Sequence, residues 1–191
     1  MIEGDKLRLN KNILRILAIS AILILGLSAV SSVMAAESTS KMKVSSSGIK
    51  NGKIDKKYGM YSSVKDKNGI PKISIPLTVK NAPKKTKYYA VYMYDNNVPW
   101  VHWLAVNYKS KTFTEDASRK KASSMIQGKN SFGTIGYGGP TPPDKTHTYT
   151  IKVYALKSKV SLSKGFSYSQ FKKVTNGKIL STATIKGKYV K

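Results

Sequence analysis

The sequence predicts a mostly β protein built from two packed antiparallel sheets, a β-sandwich, with one short helix in the carboxyl-terminal region. Three observations carry this prediction: short apolar or alternating segments recur, Gly, Pro and Asn separate them, and one segment alone has the caps of a helix. The chain has 191 residues and no cysteine, so its core must form without disulfides.

Five segments carry the strand signal, and their residue types indicate how each is placed. Residues 88–94 are apolar on both faces, which is typical of a central strand. Pro71 and Pro76 make residues 70–79 an edge or irregular strand, because proline cannot donate to a ladder. The other predicted strands cover residues 103–108, 148–156 and 179–190, and the polar segment 109–124 is predicted to be a surface loop.

The predicted helix covers residues 167–175. Ser167 is suited to the N-cap position, because its hydroxyl oxygen can accept a backbone N–H of the first turn. Asn176 followed by Gly177 favours termination of the helix.

Residues 1–36 are predicted to be a signal peptide. Basic residues precede an apolar run from Ile16 to Leu27, and Ala35 and Ala36 suit a cleavage site. An uncleaved amino-terminal membrane anchor is the alternative, because residues 16–36 carry no charge and about 20 apolar residues span a bilayer. Both interpretations place the rest of the chain outside the cytoplasm, as an extracellular or cell-surface protein. Without cysteine, it cannot carry a Cys-linked lipid anchor.

The remaining chain is strongly basic. Residues 37–57 are rich in Ser and Lys and are predicted to be a loosely held leader, with the folded domain covering residues 58–191. The formal net charge is +25, and removal of residues 1–36 still leaves 30 Lys and Arg against 7 Asp and Glu. The charge therefore belongs to the exported domain and favours an anionic neighbourhood, such as wall polymers or anionic lipid.

Two segments concentrate the rare residues and predict a small anion pocket. Residues 95–103 hold both tryptophans and one of the two histidines, and residues 136–149 hold a Gly/Pro-rich loop followed by the other histidine. Imidazole N–H groups, a tyrosine hydroxyl and backbone N–H groups can all donate to phosphate oxygens. A carboxylate beside a histidine favours the charged form of that ring. Tryptophan and proline would supply apolar walls.

Each feature taken alone also has a purely structural interpretation. The Asp95-Asn96-Asn97 stretch is typical of a turn, His102 of a core histidine with its bonds satisfied, and the Gly/Pro stretch of a surface loop. Only their joint occurrence favours a binding site.

The joint occurrence resembles the phosphatidylethanolamine-binding protein family, in its bacterial Raf-kinase-inhibitor-like branch. That family carries a D-P-D-x-P box, a W-x-H-W segment and a G-P-x-P-P loop that ends in H-R-Y. Here the corresponding stretches are DNNVP (95–99), WVHW (100–103) and GPTPPDKTHTY (139–149), with IQGKNSFG (126–133) between them. The resemblance covers roughly residues 43–191, and order and spacing both match.

The resemblance implies a fold of two packed sheets and a pocket for phosphate-like head groups. It also implies cis peptide bonds near that pocket. Carried over position by position, and with Trp100 as a wall, the predicted ligand-binding residues are Asp95, Pro99, Trp100, His102, Pro140, His147 and Tyr149. Three positions depart from the family pattern: Asn96 and Asn97 replace Pro and Asp of the box, and Thr148 replaces Arg of H-R-Y.

The function predicted from these observations is an exported module that binds a small phosphate-type anion or a phospholipid head group. One alternative is a basic cell-surface protein held electrostatically on wall polyanions or anionic lipid, and another is an inhibitor of a protein partner. No catalytic, metal or cofactor motif is recognisable, so we expect neither an enzyme nor a metal or cofactor site. Nucleic acid is not an expected partner, and homodimerisation is left open.

Overall fold

The computed structural model describes residues 41–191, and the predicted signal peptide lies outside them. Ten strands dominate the described chain. They are β1 (Lys43–Ser45), β2 (Ile49–Lys50), β3 (Lys53–Ile54), β4 (Leu77–Lys80), β5 (Tyr88–Asp95), β6 (Trp100–Tyr108), β7 (Thr112–Phe113), β8 (Ile126–Gln127), β9 (His147–Leu156) and β10 (Ile179–Tyr189). The α-helices are α1 (Ala117–Lys120) and α2 (Tyr168–Thr175), and single 3-10 turns cover Lys56–Tyr58 and Ala122–Ser124.

The strands form two sheets, which confirms the predicted class. One sheet has three strands in the order β1-β4-β7, and the other has seven in the order β2-β3-β10-β9-β5-β6-β8. The neighbours are antiparallel, apart from a short parallel bridge between β3 and β10. The middle strand of the larger sheet is β9, and β5 lies next to it, which agrees with the central position that the apolar composition of residues 88–94 predicts.

The main core lies between the two sheets. Leu77 and Phe113 of the small sheet and Val91, Trp103 and Ile151 of the large sheet are among its fully buried members. A second apolar cluster covers the opposite face of the large sheet under α2, with Phe171 of the helix buried in it. Apolar residues on both faces explain why β5 lacks a strict alternation.

The helix prediction is confirmed in its bounds and its cap. The Ser167 hydroxyl accepts the Gln170 N–H, and the Gln170 side chain in turn accepts the Ser167 N–H, so the helix begins with a capping box. Residues 109–124, by contrast, are not merely a loop, because they include β7, α1 and a 3-10 turn. No helix within residues 41–191 combines the length and the hydropathy needed to cross a membrane.

The boundary predicted between leader and domain differs from the structure. Residues 41–57 contain three strands instead of a loosely held leader, and β1 pairs with β4 while β3 pairs with β10. Met42 and Ile54 are buried in the main core. Composition missed these strands because they are short and their few apolar side chains are separated by Ser and Lys.

Candidate functional site

The predicted site residues converge at one end of the seven-stranded sheet. Asp95 ends β5, and antiparallel pairing places it opposite Tyr149 near the start of β9. On its other side Asp95 is paired with Trp100, the first residue of β6. The Gly/Pro-rich loop runs along β6, where the Gly138 N–H donates to the His102 carbonyl oxygen at 2.9 Å. We call Asp95, His102, His147 and Tyr149 the histidine cluster.

His147 is held between two carboxylates. Its Nδ1 lies 2.6 Å from Asp95 Oδ2, and its Nε2 lies 2.9 Å from Asp144 Oδ1. A carboxylate accepts and does not donate, so both ring nitrogens carry protons and the ring is an imidazolium. Burial acts to lower the pKa of His147, but the hydrogen bonds and charges of the two aspartates outweigh it and raise that pKa above the ordinary 6.5.

His102 is in the opposite state. It is 2% exposed, and its Nδ1 donates to the Gly138 carbonyl oxygen at 2.7 Å. Burial lowers the pKa of His102 to about 4, and the nearby carbonyl and the Asp95 charge offset this only in part. His102 is therefore a neutral imidazole with its proton on Nδ1 at neutral pH, and its Nε2 offers a lone pair.

The second ring nitrogen of His102, Nε2, is the atom of the cluster that can accept a hydrogen bond when the ring is neutral. Every buried side-chain nitrogen and oxygen atom between residues 41 and 191 has a hydrogen-bond partner. His102 Nε2 makes no hydrogen bond to a side chain of those residues, although the Gly139 backbone also bonds to this ring and raises its pKa.

Aromatic rings form a wall around the His102 ring. The His102 ring packs edge to face against Tyr149, with 5.1 Å between centroids, and against Phe132, with 5.6 Å. Phe132 in turn contacts Trp100 edge to face at 5.4 Å. Burial, reinforced by the Asp95 charge, raises the pKa of Tyr149, so its hydroxyl keeps its proton at neutral pH. Trp100 is 38% exposed and forms the outer part of the wall.

Glycine allows the loop to approach the wall closely. A Cβ on Gly138 would lie 2.7 Å from the Phe132 ring, and one on Gly139 would lie 2.3 Å from the Tyr58 carbonyl oxygen. Pro140 is buried next to them, and its carbonyl oxygen accepts the Met60 N–H at 2.8 Å. These contacts anchor the segment that supplies the acceptor for His102.

The residues that depart from the family pattern have structural roles. Asn97 Oδ1 accepts the Thr148 N–H at 3.0 Å, and Asn96 Oδ1 accepts the Thr150 hydroxyl at 2.7 Å. Asp95 Oδ1 also accepts the Asn97 N–H at 2.8 Å. The turn after β5 is thus tied to β9, which holds Asp95 beside His147.

The structure brings most of the predicted residues together but changes two parts of the sequence-based picture. Pro99 is exposed on the turn, outside the aromatic wall described above. All peptide bonds between residues 41 and 191 are trans, so the cis bonds implied by the resemblance do not occur there.

Sequence reasoning missed two residues of the site. Asp144 supplies a second acid, whereas the sequence predicted Asp95 as the only one, and Phe132 supplies a wall. A signal for each was present, because Asp144 stands three residues before His147 and Phe132 lies in the IQGKNSFG stretch. With both carboxylates bound to His147, neither of its N–H groups is free to donate to a ligand.

Comparison with known proteins identifies the architecture. The sequence model described as phosphatidylethanolamine-binding protein matches residues 44–190. Bacillus subtilis protein YxkA is 33% identical over 155 residues, which cover 71% of this chain and 92% of YxkA.

Two solved structures are similar to this fold at moderate sequence identity. A Chlamydia trachomatis protein described as a homologue of phosphatidylethanolamine-binding protein superposes with a TM-score of 0.68 at 30% identity, covering 79% of this chain and 98% of that one. Escherichia coli YbcL superposes with a TM-score of 0.67 at 30% identity, covering 80% of this chain and 99% of YbcL.

Proposed function

This chain belongs to the phosphatidylethanolamine-binding protein family, and from that membership and the geometry of the histidine cluster we propose that it is an exported module that binds a small phosphate-type anion, free or as a phospholipid head group. The observation that carries the proposal is the convergence, at one end of the sheet, of a buried neutral imidazole, His102, an imidazolium, His147, and the Tyr149 ring. Binding modules commonly combine an apolar wall with a few convergent polar groups.

A phosphate would engage the two histidines in different ways. Neutral His102 accepts a hydrogen bond from a protonated phosphate oxygen, or takes up a proton and then donates to an ionised one. His147 is already an imidazolium, but its Nε2–H must leave Asp144 before it can donate to a ligand. Asp144 can move away, because its side chain is 60% exposed. Binding by this mechanism exchanges an internal carboxylate for the ligand.

The test is an NMR titration with phosphoethanolamine and with inorganic phosphate at millimolar concentration. We expect ring resonances of His102 and His147 to shift together, whereas those of distant residues stay in place. His102→Asn is the matched variant, because its amide nitrogen can still donate to the Gly138 carbonyl while Nε2 is lost. Unmoved histidine resonances in the wild-type protein would rule out the proposed site.

A second candidate function is electrostatic attachment to an anionic envelope, and the hydrogen bonding of the acidic side chains favours it. All six acidic side chains between residues 41 and 191 accept hydrogen bonds within the fold: Asp55, Asp66, Asp95, Glu115, Asp116 and Asp144. They face 30 Lys and Arg over the same residues, so most of the cations have no carboxylate partner.

Salt sensitivity tests this second function. Exposed charges are screened over about 8 Å at physiological ionic strength and over shorter distances at higher salt. We expect protein added to the anionic envelope of cells to be released by about 0.5 M salt, since screening weakens exposed charge pairs. Retention at that salt concentration would show that attachment does not depend on the exposed lysines.

A further inference from the structure

The outer face of the seven-stranded sheet carries a cluster of lysines. Residues opposite each other on paired strands lie on the same face, and the register places Lys53 opposite both Lys50 and Lys188. Further along the sheet, Lys186 faces Thr150 and Lys152 faces Thr184. We call Lys50, Lys53, Lys152, Lys186 and Lys188 the sheet lysines.

The sheet lysines are not neutralised by the fold. None of them forms an ion pair within residues 41–191, and strands β2, β3, β9 and β10 contain no Asp or Glu. Four of the five are exposed, and Lys152 is half-buried. Neighbouring strands are about 4.8 Å apart, and alternate residues along a strand about 7 Å, so the charges form one continuous patch.

A row of stacked tyrosines borders this patch. Tyr92 stacks on Tyr94 with 4.8 Å between centroids and on Tyr168 of α2 with 4.2 Å. Lys152 Nζ lies over the Tyr94 ring at 5.8 Å, and Lys172 Nζ over the Tyr168 ring at 5.1 Å. The ring faces are largely taken by other rings and by lysines, so the row offers ring edges and hydroxyl groups.

The lysines and tyrosines of this face favour one kind of polyanion over others. Single-stranded nucleic acid is held by bases that stack on free aromatic faces, and these faces are largely occupied here. Membrane insertion needs several exposed apolar side chains together. Of the large exposed ones in the described chain (Tyr61, Val98, Trp100, Ile135, Ile179 and Val190), only Val190, two residues after Lys188, adjoins the patch. Unpaired ammonium groups beside threonine and tyrosine hydroxyls instead complement a chain of phosphates joined by hydroxyl-bearing units.

We propose that the sheet lysines and the bordering tyrosines bind a linear phosphodiester polymer with polyol repeat units, of the poly(glycerol phosphate) class. This inference deepens the second function proposed above, because it assigns electrostatic attachment to one face and one kind of partner. The surface lies on the side of the sheet opposite the main core, and so it is separate from the histidine cluster.

The experiment compares two variants that lose the same charge. The test variant is Lys152→Gln, Lys186→Gln, Lys188→Gln, and the control is Lys109→Gln, Lys111→Gln, Lys120→Gln, which alters exposed lysines outside the patch. Binding of the full chain to purified poly(glycerol phosphate) is measured by titration calorimetry over a series of salt concentrations. Unfolding midpoints of all three proteins establish that the variants fold.

We expect the test variant to bind at least tenfold more weakly at low salt. The slope of log binding constant against log salt concentration should be smaller in magnitude by about 2, because each of the three lost phosphate contacts removes about 0.7 from it for a flexible strand. The control should keep most of the affinity. Equal losses in both variants would overturn the assigned face and leave unspecific attachment as the function. Absence of polymer binding by the wild-type chain would overturn both.

Two further probes test the partner. An oligothymidylate and vesicles containing phosphatidylglycerol are titrated under the same conditions. Tighter binding of either probe that is lost in the test variant would overturn the assignment to a polyol phosphate polymer.

Discussion

Asp144 Oδ1 accepts a hydrogen bond from His147 Nε2 at 2.9 Å, so an internal carboxylate stands where an anionic ligand of this histidine would bind. A hydrogen bond from the Lys145 backbone N–H, together with the His147 contact, lowers the pKa of Asp144, which keeps it charged at neutral pH. The Asp144 carboxylate is exposed, whereas His147 is buried, and the pair therefore opens outward.

Replacing this carboxylate should strengthen anion binding. In Asp144→Asn the competing charge is lost, and we expect the dissociation constant for inorganic phosphate to fall severalfold at most, because an exposed charge pair is weak. NMR titration measures it. Asp55→Asn is the control, because it removes an equal charge from a carboxylate that accepts the Lys57 N–H and contacts no histidine. Equal gains in both variants would attribute the effect to net charge alone.

Phosphate binding should depend on pH through His102. The free protein holds this ring neutral with a pKa of about 4, while an ionised phosphate oxygen requires a donor at Nε2. Binding therefore raises the pKa of His102 and takes up a proton, so affinity rises as pH falls from about 8 towards about 5. Calorimetry in buffers of different ionisation enthalpy measures the proton uptake. A flat affinity profile in the wild-type protein would contradict this mechanism, and His102→Asn should remove the uptake.

The free energy of unfolding should depend on pH through the lowered pKa of His102. Its pKa is about 4 when folded and about 6.5 when unfolded, so the unfolded chain binds more protons between those pH values and is favoured as pH falls. Between about pH 7.5 and 5 the wild-type protein should lose about 2 kcal/mol of unfolding free energy relative to His102→Asn. His147 acts with the opposite sign, because its raised pKa stabilises the fold below its unfolded value and this is lost as pH rises through the folded pKa. Since both proteins retain His147, denaturant unfolding of the pair isolates His102, and parallel pH curves would refute this prediction.

The turn after β5 should depend on the amide of Asn97. Asn97→Ala leaves the Thr148 N–H without its acceptor and should lower the free energy of unfolding by about 1 kcal/mol. Asn97→Asp keeps a side-chain oxygen for the same donor, and it restores the acid found in the family box. Thermal unfolding of the two variants compares them directly. Equal destabilisation by both would show that the side-chain acceptor at position 97 does not stabilise the turn.

The sequence predicted the larger elements well because their signals are local. The aromatic and apolar run of β5 and the N-cap at Ser167 depend on neighbouring residues alone, and the structure places both where they were expected. The strands between residues 43 and 54 were missed because each is two or three residues long. Partners distant in sequence, β4 and β10, stabilise them, and no local window contains that information.

For the histidine cluster, the sequence by itself determined the residue types and their order along the chain, and the resemblance carried by these motifs pointed to Asp95, His102, His147 and Tyr149. Only the tertiary structure decided the state of each ring. His102 is neutral because burial excludes water around it. His147 is charged because Asp95, which is distant in sequence, and Asp144, which is near in sequence, each accept a hydrogen bond from one of its ring nitrogens. Protonation depends on the dielectric surroundings and on the charges in contact, and strand pairing sets both.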